Sequence, residues 1–367
     1  MANVPPDFDL DLSHLEPGAA ARVRMTVSCR DTDRLPKVPG AGEIFDHDGT
    51  RVQRMFNGLL IEEGCYYGPW MTDVITGLAG HHEPQEEVVF DGVLERLLES
   101  EPDASMIELG SFWAFYSMSF RQRAGAANVI VDMEPDPAYL EVGKRNFALN
   151  GLESLFLHGA IGSSPGETVS FTTESTGELI EVEQYDIASL MKAGGIDRVG
   201  LLMVDIQGFE TPLLTGAIPL LRSGAVRFII VSTHHHVISG DALTHQNVLK
   251  MLKDAGGHVI AEHTVGESFS GDGLVAVSFD ARDEGFTIDV SHARYGESLF
   301  GEVEYDLDRA FAERDAAQVE VARLTRQLEK SRRSARRAKR ALRDVHQSRS
   351  WRLTRPIRAV TGLARRR

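Results

Sequence analysis

Cysteine is nearly absent from this 367-residue sequence, which contains only Cys29 and Cys65. The two are far apart and lack a metal-ligand spacing, so we expect a reducing cytosol and no disulfide framework. No apolar run approaches the roughly 18 residues that a membrane-spanning helix requires. The N-terminus, MANVPPDFDLDLSHLEPG, is acidic and interrupted by proline, which favours neither a signal peptide nor an anchor. We therefore expect a cytoplasmic protein.

Positive charge is scarce in the first 320 residues and concentrated in the rest. The stretch 321–367 contains 17 Lys and Arg against two acids, a net charge of +15. Because the whole chain carries −15, the first 320 residues carry −30. Such an acidic body repels nucleic acid, whereas the basic tail attracts phosphates, acidic lipid head groups or the body itself. Nucleic acid is therefore not an expected partner.

Glycine is missing where a dinucleotide-binding turn would need it. The segment 105–134, SMIELGSFWAFYSMSFRQRAGAANVIVDME, predicts a strand, a glycine turn, a helix and a second strand, as in the nucleoside-binding half of a Rossmann-like unit. After Gly110 the other glycines of G-x-G-x-x-G are absent, which leaves no path for a pyrophosphate. S-adenosylmethionine, a nucleoside cofactor without phosphate, fits better. A plain structural turn is the alternative interpretation.

Each of these two strands ends near a carboxylate. Glu108 lies near the end of the first strand, and Gly110 then allows a tight turn into a helix whose free N–H groups can face a ligand. Glu134 ends the second strand 24 residues after Gly110, close to the spacing of the acid that binds ribose in the dinucleotide fingerprint. The cofactor-binding candidates are Glu108, Gly110, Ser111 and Glu134, together with Asp186 further along.

Strands and helices continue to alternate after residue 134. Helices are predicted at 138–150, 211–222 and 241–255, and extended segments at 155–159, 180–187, 201–205, 228–232, 258–262 and 273–279. The stretch 163–177 is predicted to be a polar excursion. Strands separated by helices favour a parallel sheet, and the short connection between the last two strands favours an antiparallel edge hairpin.

The first hundred residues give weaker signals. Residues 1–20 are predicted to be disordered, 23–28 to form a strand and 84–98 to form a helix. At the start of that helix lies the polar stretch HHEPQEE, residues 81–87. It is either a charged, solvated helix start, where acids suit the dipole, or a cap over the cofactor pocket that offers polar groups to a ligand.

Three segments in succession resemble the FkbM family of S-adenosylmethionine-dependent methyltransferases, over about residues 100–280. They are IELGSFWAFYS, EPDP followed by NFALNG, and LLMVDIQGFETPLLTGA. The resemblance implies an α/β, Rossmann-like class I methyltransferase fold with a mostly parallel, seven-stranded sheet. It also implies that Glu108 and Gly110 line the methionine part of the cofactor, that Glu134 holds the ribose, and that Asp205 lies near the transferred methyl group.

The sequence departs from the family pattern at three positions. Ala114 stands where the first motif has a glycine, a change expected to be mild. Met203 replaces the usual lysine, and Gln207 replaces the glutamate after Asp205, so an ion pair is lost. A non-catalytic scaffold with an altered methyltransferase fold is therefore one alternative function.

Polar side chains follow the strands predicted at 201–205 and 228–232. Asp205 ends the first, and His234, His235 and His236 follow the second. The ends of adjacent strands in such a sheet meet at one crevice. Methyl transfer to a hydroxyl requires alignment of the acceptor and removal of its proton, which a histidine near neutral pKa can accept. Asp205, His234 and His235 are therefore the catalytic candidates.

Two other interpretations of this region stay open. Asp205 and His234 can instead bind a divalent cation such as Mg²⁺, or the histidines can form a plain polar loop. Further along, SFSGDGL at 268–274 is predicted to be a hairpin turn, although its Asp272 could also meet a sugar hydroxyl.

The C-terminal region predicts an extended helix and a basic tail. From residue 307 to 345 the chain follows the 3,4 spacing of a coiled coil. The seam is rich in alanine and interrupted by Arg314 and Ser331, so pairing as a homodimer or with a partner helix should be weak or partner-dependent; a single solvated helix is the alternative. The final SRSWRLTRPIRAVTGLARRR sets Leu353, Ile357, Val360 and Ala364 among arginines, typical of peripheral contact with anionic lipid. It also resembles tails of bacterial enzymes of surface-polysaccharide assembly.

These observations predict six regions. They are a disordered N-terminus (1–20), a cap region (21–100), the methyltransferase domain (101–285), a linker (286–306), the coiled coil (307–346) and the basic amphipathic tail (347–367). We expect an O-methyltransferase that acts on a sugar hydroxyl of a glycan or glycolipid near the inner membrane. A small-molecule O-methyltransferase of natural-product biosynthesis and the non-catalytic scaffold are the alternatives.

Overall fold

The computed structural model describes residues 10–293 and 302–354. The chain forms two compact units, Met1–Arg294 and Tyr295–Arg367. The helices of the first unit are α1 (Pro17–Ser28), α2 (Pro69–Gly77), α3 (Pro84–Ser100), α4 (Phe115–Ala124), α5 (Pro137–Leu149), α6 (Ile187–Gly194), α7 (Glu210–Arg222), α8 (His236–Ser239) and α9 (Thr244–Asp254). Its strands are β1 (Ile44–His47), β2 (Thr50–Arg54), β3 (Leu60–Glu62), β4 (Met106–Leu109), β5 (Ile130–Glu134), β6 (Leu155–Ile161), β7 (Thr168–Thr172), β8 (Leu179–Tyr185), β9 (Val199–Val204), β10 (Val226–Thr233), β11 (His258–His263) and β12 (Gly273–Ser278).

The main sheet is mostly parallel, as predicted. Its strand order is β11-β12-β10-β9-β4-β5-β6-β8-β7, and β11 and β12 form the predicted antiparallel hairpin. The sheet has nine strands rather than seven, because β8 and β7 extend the edge beyond β6. Strand β7 lies inside the stretch predicted to be a polar excursion. Its five residues, TVSFT, contain only Val169 and Phe171 as apolar side chains, an alternation too short to stand out among the polar residues around it.

The central strands are buried on both faces, and their alternate side chains enter two different cores. Met106 of β4 packs on the side of α3, α4 and α5, whereas its neighbour Ile107 packs on the side of α6, α7 and α9. This alternation is the two-residue period of a strand. The result is a three-layer α/β/α arrangement, the Rossmann-like class I fold that was predicted.

The predicted strand at 23–28 is wrong, because these residues belong to α1. Pro17 occupies the first turn of this helix, where a missing N–H costs nothing. Ala20, Val23 and Val27 are buried along one face at helical spacing, which a short apolar run does not distinguish from a strand. The predicted disorder through residue 20 is also wrong from Pro17 onward; residues 1–9 lie outside the described residues.

Between α1 and α3 the cap region adds α2 and a small antiparallel sheet, β1-β2-β3. The polar face of β2 and the shortness of β3 explain why neither strand was predicted. Helix α3 begins at Pro84, as predicted, and ends two residues later than expected. The cap region therefore folds onto the methyltransferase sheet on the side of α3 and α4.

The segment predicted to be extended through residue 187 ends earlier. Strand β8 stops at Tyr185, and Asp186 caps α6. Its carboxylate accepts the Ser189 N–H at 2.7 Å, while the Ser189 hydroxyl accepts the N–H of Asp186 at 2.9 Å. Aspartate followed three residues later by serine was the available signal for this capping arrangement.

The second unit is described from residue 302 to 354 and contains α10 (Glu302–Gln347) and α11 (Arg349–Leu353). A continuous helix thus covers the predicted coiled coil. The seam residues Val321, Leu324, Leu328, Leu342 and Val345 are exposed in the single chain. Pairing through them stays a prediction, and so does lipid contact by the tail, whose residues 355–367 lie outside the described part of the chain.

Part of the predicted linker packs against the first unit. The N–H of Ile288 donates to the carbonyl of Ile260 at 3.0 Å, and the N–H of Ala293 donates to the carbonyl of Glu267 at 2.8 Å. Residues 286–293 therefore extend the globular unit, while 294–301 lie outside the described residues. Searching the described helices reveals none with both the length and the apolarity needed to cross a bilayer.

Candidate active site

A cavity of about 490 Å³ opens at the carboxyl ends of β4, β5 and β9. Five of the predicted site residues line it: Glu108, Gly110, Ser111, Glu134 and Asp205. Of the other candidates, Asp186, His234 and His235 are not among its lining residues. The parallel register of the three strands places these carboxylates and the glycine turn at one edge of the sheet.

The turn after β4 is held tightly against the end of β9. Gly110 has φ +76°, and a Cβ at this position would overlap the carbonyl oxygen of Asp205. Helix α4 begins only at Phe115, so the turn is longer than the sequence suggested. Ala114, which replaces the family glycine, has φ +60°. A left-handed conformation costs an alanine roughly 1–2 kcal/mol, so this substitution strains the turn.

Glu134 faces the cavity from the end of β5. Its two oxygens accept the N–H of Phe112 at 3.1 Å and the N–H of Asp136 at 2.9 Å. Burial raises the pKa of Glu134 to about 8, against these hydrogen bonds, which lower it. The carboxyl is therefore fixed in position and available to ribose hydroxyls at the tip of the strand.

Ser111 follows Gly110 on the turn after β4. Its side chain is buried, and its hydroxyl has no hydrogen-bond partner among the described residues. A buried hydroxyl without a partner is costly, which suggests that a ligand supplies one. The glycine turn, this hydroxyl and Glu134 together suit a nucleoside cofactor.

Glu108 pairs across the sheet with Asp132 on β5. Its Oε2 accepts the N–H of Ser117 at 2.9 Å, at the start of α4. Burial, followed by the charge of Asp132, holds the pKa of Glu108 well above its usual range. Burial also raises the pKa of Asp132 to about 6. Two carboxyls this close favour sharing one proton.

Asp205, His234 and Glu210 form a connected group beside the cavity. Nε2 of His234 lies 3.1 Å from Oδ1 of Asp205, and its Nδ1 lies 2.7 Å from Oε1 of Glu210. That Glu210 oxygen also accepts the N–H of Gly208 at 2.9 Å. Burial opposes the imidazolium, but the carboxylates of Asp205 and Glu210 outweigh it and hold the pKa of His234 well above its usual value.

This environment changes the role expected of the histidines. Because the pKa of His234 is raised, its ring favours the protonated form, and a protonated imidazole cannot accept a proton. His235 instead caps the short helix α8, accepting the N–H of Val237 at 3.3 Å, and its ring packs on that of His236. Neither arrangement provides the neutral histidine base that was expected.

The predicted metal ligands, Asp205 and His234, do lie next to each other. However, a search of residues 10–293 and 302–354 finds no group of three or more His, Cys, Asp or Glu side chains arranged to hold a metal ion. The residues present therefore do not fit a complete metal centre. Gln207, which replaces the family glutamate, lies with Nε2 3.3 Å from Oδ1 of Asp205.

The stretch HHEPQEE is buried, so its interpretation as a solvated helix start is wrong. Glu87 lies between two histidines, with Oε2 2.5 Å from Nδ1 of His81 and Oε1 2.7 Å from Nδ1 of His82. Burial opposes its charge, but these two histidines hold the pKa of Glu87 below its usual value. His82 and Glu83 line the cavity, as the alternative interpretation required.

Two further acids of this region lie beside the cavity and were not among the predicted site residues. Burial raises the pKa of Glu86 to about 7, and Ser232 at the end of β10 donates to its Oε2 at 2.6 Å. Burial, followed by the charge of Glu86, holds the pKa of Glu83 well above its usual range. Asp272, from the turn before β12, lies close to His234, with its Oδ1 3.8 Å from Nε2 of that ring.

Aromatic rings form much of the cavity wall. Tyr66 stacks on Trp113 with ring centroids 4.4 Å apart, and Phe112 stacks on Tyr139 at 3.6 Å. Tyr67 meets Phe112 edge to face. The cap region thus contributes aromatic walls that no local sequence pattern marked, since Tyr66 and Tyr67 precede the first motif by more than forty residues.

Strand β7 and the turn that follows it close the cavity on the side of β6. Residues 169–172 and Glu174 line it. The turn between the strands is fastened to the start of α5, where Asp136 accepts the Ser175 N–H at 2.9 Å and the Ser175 hydroxyl at 2.8 Å. Asp136 also caps α5 through the N–H of Ala138. The carboxylate of Asp136 therefore fixes both the start of α5 and the cavity wall that β7 forms.

Residues 95–259 match a family model, described as the methyltransferase FkbM domain. The matched stretch is somewhat less than half of the chain and runs from α3 into β11. It includes Glu108, Gly110, Glu134 and Asp205. This part of the chain is a methyltransferase domain, and the protein is a methyltransferase. No curated protein matches the sequence.

Several solved methyltransferase structures are distantly similar. Magnesium protoporphyrin IX methyltransferase of Synechocystis PCC 6803, with bound SAM, is 11% identical, covering 52% of this chain and 77% of its own, with TM-score 0.34. The N-terminal domain of human METTL16 with SAH is 13% identical, covering 54% and 71%, with TM-score 0.35. An O-methyltransferase described as putative, from Klebsiella pneumoniae, is 15% identical, covering 52% and 80%, with TM-score 0.34. Likenesses this distant carry no argument about substrate or mechanism.

Proposed function

We propose that the protein is an S-adenosylmethionine-dependent O-methyltransferase that acts on a sugar hydroxyl of a glycan or glycolipid. The observation that carries this proposal is the cavity at the carboxyl ends of β4, β5 and β9. It brings the glycine turn at Gly110, the carboxyl of Glu134 and the carboxylate of Asp205 to one place. These are the parts that a nucleoside cofactor and a proton-losing acceptor require.

The cofactor end of the cavity is formed by β4, β5 and the turn after β4. Glu134 accepts the ribose hydroxyls, and the hydroxyl of Ser111 gains the partner that it lacks within the described residues. Glu108 and the backbone at Gly110 line the methionine part. S-adenosylmethionine, when bound, supplies an electrophilic methyl group. The protein's own contribution is to fix the acceptor in line with that group.

Asp205 accepts the proton of the acceptor hydroxyl. It lines the cavity at the end of β9, and its side chain is one-third exposed. His234 is a positioning residue. Its protonated ring contacts Oδ1 of Asp205 through Nε2 at 3.1 Å, and Oε1 of Glu210 fixes the ring through Nδ1 at 2.7 Å. The Met203 and Gln207 substitutions leave this group intact, which favours catalysis over the scaffold alternative.

The opposite wall suits a sugar. Aromatic rings, among them Tyr66 and Tyr67, give this wall apolar edges for the C–H groups of a pyranose, and the carboxyl of Glu83 can hydrogen-bond its hydroxyls. The likeness of the C-terminal tail to those of polysaccharide-assembly enzymes supports a glycan over a small natural product. We also propose that α10 pairs with a second copy or a partner helix, and that the basic tail brings this cytoplasmic protein to anionic lipid.

Calorimetric titration with S-adenosylhomocysteine, with and without Mg²⁺, tests the cofactor part of the proposal. We expect micromolar binding that does not depend on Mg²⁺. Transfer of a radiolabelled methyl group to an extracted glycolipid fraction tests the acceptor. Absence of S-adenosylhomocysteine binding in the folded protein would overturn the methyltransferase proposal. Binding together with labelling of small hydroxylated compounds alone would favour the natural-product alternative.

A further inference from the structure

The charges of helix α10 are sorted by end. Residues 302–322 contain seven acids and two arginines, a net charge of −5. Residues 323–343 contain ten lysines and arginines and one acid, a net charge of +9. The two stretches have the same length and together cover most of the helix, which spans Glu302–Gln347. One half of α10 is therefore acidic, and the other half is strongly basic.

Ion pairs within the helix neutralise little of the basic half. Arg323 contacts Glu320, and a guanidinium nitrogen of Arg333 lies 3.8 Å from a carboxylate oxygen of Glu329. In the part of α10 whose side chains are described, the other lysines and arginines of 323–343 contact no acid. Like charges spaced along one helix destabilise it, so the basic half gains from acidic groups supplied by another surface.

An exposed apolar seam runs along the same helix. Its central members follow the 3,4 spacing of a coiled coil and are residues 314, 317, 321, 324, 328 and 331. Leu324 is 49% exposed and Leu328 is 51% exposed, and Val321 is more exposed than either. A second helix packed along this seam would remove these side chains from water.

Parallel pairing in register with a second copy conflicts with this sequence. Each seam residue would meet the same residue of the other copy, so Arg314 would meet a second Arg314. The basic halves would also lie side by side. Side chains of two packed helices are closer than the Debye length of about 8 Å at physiological salt, so this repulsion is not screened.

Antiparallel pairing removes both conflicts. The second copy is turned end for end, with the midpoint of the pair between residues 322 and 323. The central layers then combine Arg314 with Ser331, Ala317 with Leu328 and Val321 with Leu324 of the other copy. The polar residues face each other, where the serine hydroxyl accepts from the guanidinium, and the remaining central layers are apolar.

The same comparison selects the register. A shift by one heptad sets Arg314 against Ala338 and Ser331 against Val321, which spreads polar groups over twice as many layers. Centring after residue 322 also aligns the acidic stretch 302–322 of each copy with the basic stretch 323–343 of the other. Charge and seam therefore favour the same alignment.

We propose that α10 binds a second copy of this chain as an antiparallel coiled coil centred after residue 322. The inference rests on the proposed pairing of α10, commits it to one partner and one orientation, and does not depend on methyl transfer. Because an α-helix rises about 1.5 Å per residue, the two helix starts lie roughly 60 Å apart. Each end of the pair then carries the start of one helix and the basic tail of the other copy.

Cysteine cross-linking of the full-length protein tests the orientation. Ala317→Cys and Leu328→Cys, each alone, should stay monomeric on a non-reducing gel after mild oxidation, because neither residue meets its own counterpart. The double variant Ala317→Cys/Leu328→Cys should form a covalent dimer. The matched control is Ala317→Cys/Ala335→Cys, whose cysteines meet only in the register shifted by one heptad. The parent protein, with Cys29 and Cys65, provides the background.

Analytical ultracentrifugation tests the pairing itself. We expect a dimer whose Kd rises at least about tenfold between about 50 and 500 mM NaCl, because salt screens the attraction between the acidic and basic halves. Leu324→Ser should weaken the dimer at least as strongly, since it removes a seam side chain. Val319→Ser is the matched control, because Val319 is exposed but lies off the seam, and this variant should pair like the parent.

A monomeric parent protein, a cross-link in either single variant, or no cross-link in Ala317→Cys/Leu328→Cys would overturn the inference. A cross-link in Ala317→Cys/Ala335→Cys would overturn the assigned register. All of these variants should bind S-adenosylhomocysteine like the parent, since their residues are not among the cavity lining. Failure of pairing therefore leaves the methyltransferase proposal standing, whereas failure of the parent to bind S-adenosylhomocysteine removes that proposal and leaves the pairing to be decided by its own measurements.

Discussion

Oδ1 of Asp205 and Nε2 of His234 lie 3.1 Å apart at the ends of two neighbouring parallel strands, β9 and β10. Their proximity follows from strand register, because Val204 of β9 pairs with Val231 of β10 and both strands then continue to the same edge of the sheet. The contact is thus anchored in two buried strands. It explains why an aspartate and a histidine that are 29 residues apart can act as one unit.

Replacing Asp205 by asparagine should remove the proton acceptor while keeping the shape of the side chain. We expect kcat to fall by about 10²- to 10⁴-fold, the usual contribution of general acid–base catalysis. Affinity for S-adenosylhomocysteine should change little. Steady-state methyl transfer and calorimetry measure the two effects, and an Asp205→Asn enzyme with undiminished kcat would exclude the assigned role.

Substitutions of the three consecutive histidines should give unequal results. His234→Gln should lower kcat strongly, because Asp205 loses the ring that positions it, and the pH–rate profile should shift. His235→Ala and His236→Ala should stay active, since these residues lie at α8 and not in the cavity lining. Comparable loss in all three variants would indicate a general structural effect instead.

Above the pKa of about 8, where its carboxyl is ionised, Glu134→Ala should weaken binding of S-adenosylhomocysteine by roughly 1.5–3 kcal/mol, the contribution of hydrogen bonds to a charged group. The matched variant Glu181→Ala removes an exposed acid from β8 and should not change it. Calorimetric titration of both folded variants measures their affinities for S-adenosylhomocysteine. Unchanged affinity in Glu134→Ala would rule out its contact with ribose.

The pKa of about 8 for Glu134 predicts how cofactor affinity depends on pH. Below that value the carboxyl is mostly protonated and accepts hydroxyl hydrogens poorly; above it the carboxylate accepts both. Affinity for S-adenosylhomocysteine should therefore rise as the pH is raised from about 6 to about 8 and then level off. Titrations across this range should show the rise in the parent protein and a flat profile in Glu134→Gln.

Gly110→Ala should destabilise the protein more than Gly125→Ala. Both glycines have positive φ, but a Cβ on Gly125 meets open space, whereas one on Gly110 overlaps the Asp205 carbonyl. The Gly125 variant should lose about 1–3 kcal/mol from backbone strain alone. Thermal unfolding with and without S-adenosylhomocysteine compares the stability of the two variants. Equal losses of stability would contradict the tight contact between the turn and β9.

Truncation after Asp306 should leave the methyltransferase domain folded, because residues 1–294 form a compact unit of their own. The shortened protein should lose binding to anionic vesicles, since each basic residue near such a surface contributes about 1 kcal/mol. Co-sedimentation with phosphatidylglycerol vesicles tests this, with phosphatidylcholine vesicles as the control. Retained sedimentation would place lipid contact elsewhere in the chain.

Strong periodic patterns made the central fold predictable. The buried runs that became β4, β5, β9 and β10 are mostly apolar, and the helices between them carry clear start signals such as Pro137. Strand β7 was missed because its apolar alternation, Val169 and Phe171, is only two residues long and lies within a polar stretch. The first helix was mistaken for a strand because its apolar run is short and β-branched residues are frequent in it.

The candidate site was predictable where it depends on strand ends. Glu108 and Glu134 lie in the last two residues of buried strands, Gly110 and Asp205 directly follow buried strands, and all four line the cavity. Glu83 could not be placed in this way, since it reaches the cavity only through the packing of the cap region. The pKa of His234 was equally hidden from the sequence, because it depends on a carboxylate on each side of the ring.

The overlap that a Cβ on Gly110 would make with the Asp205 backbone has a consequence for how such a protein can diversify. The turn at Gly110, proposed to bind the cofactor, and the end of β9 at Asp205, proposed to accept the proton, touch directly. Neither can therefore be remodelled without displacing the other. The walls formed by residues 66–83 and 168–174 come from separate elements. Grafting those two segments between relatives is therefore the route by which acceptor choice can change while methyl donation is preserved.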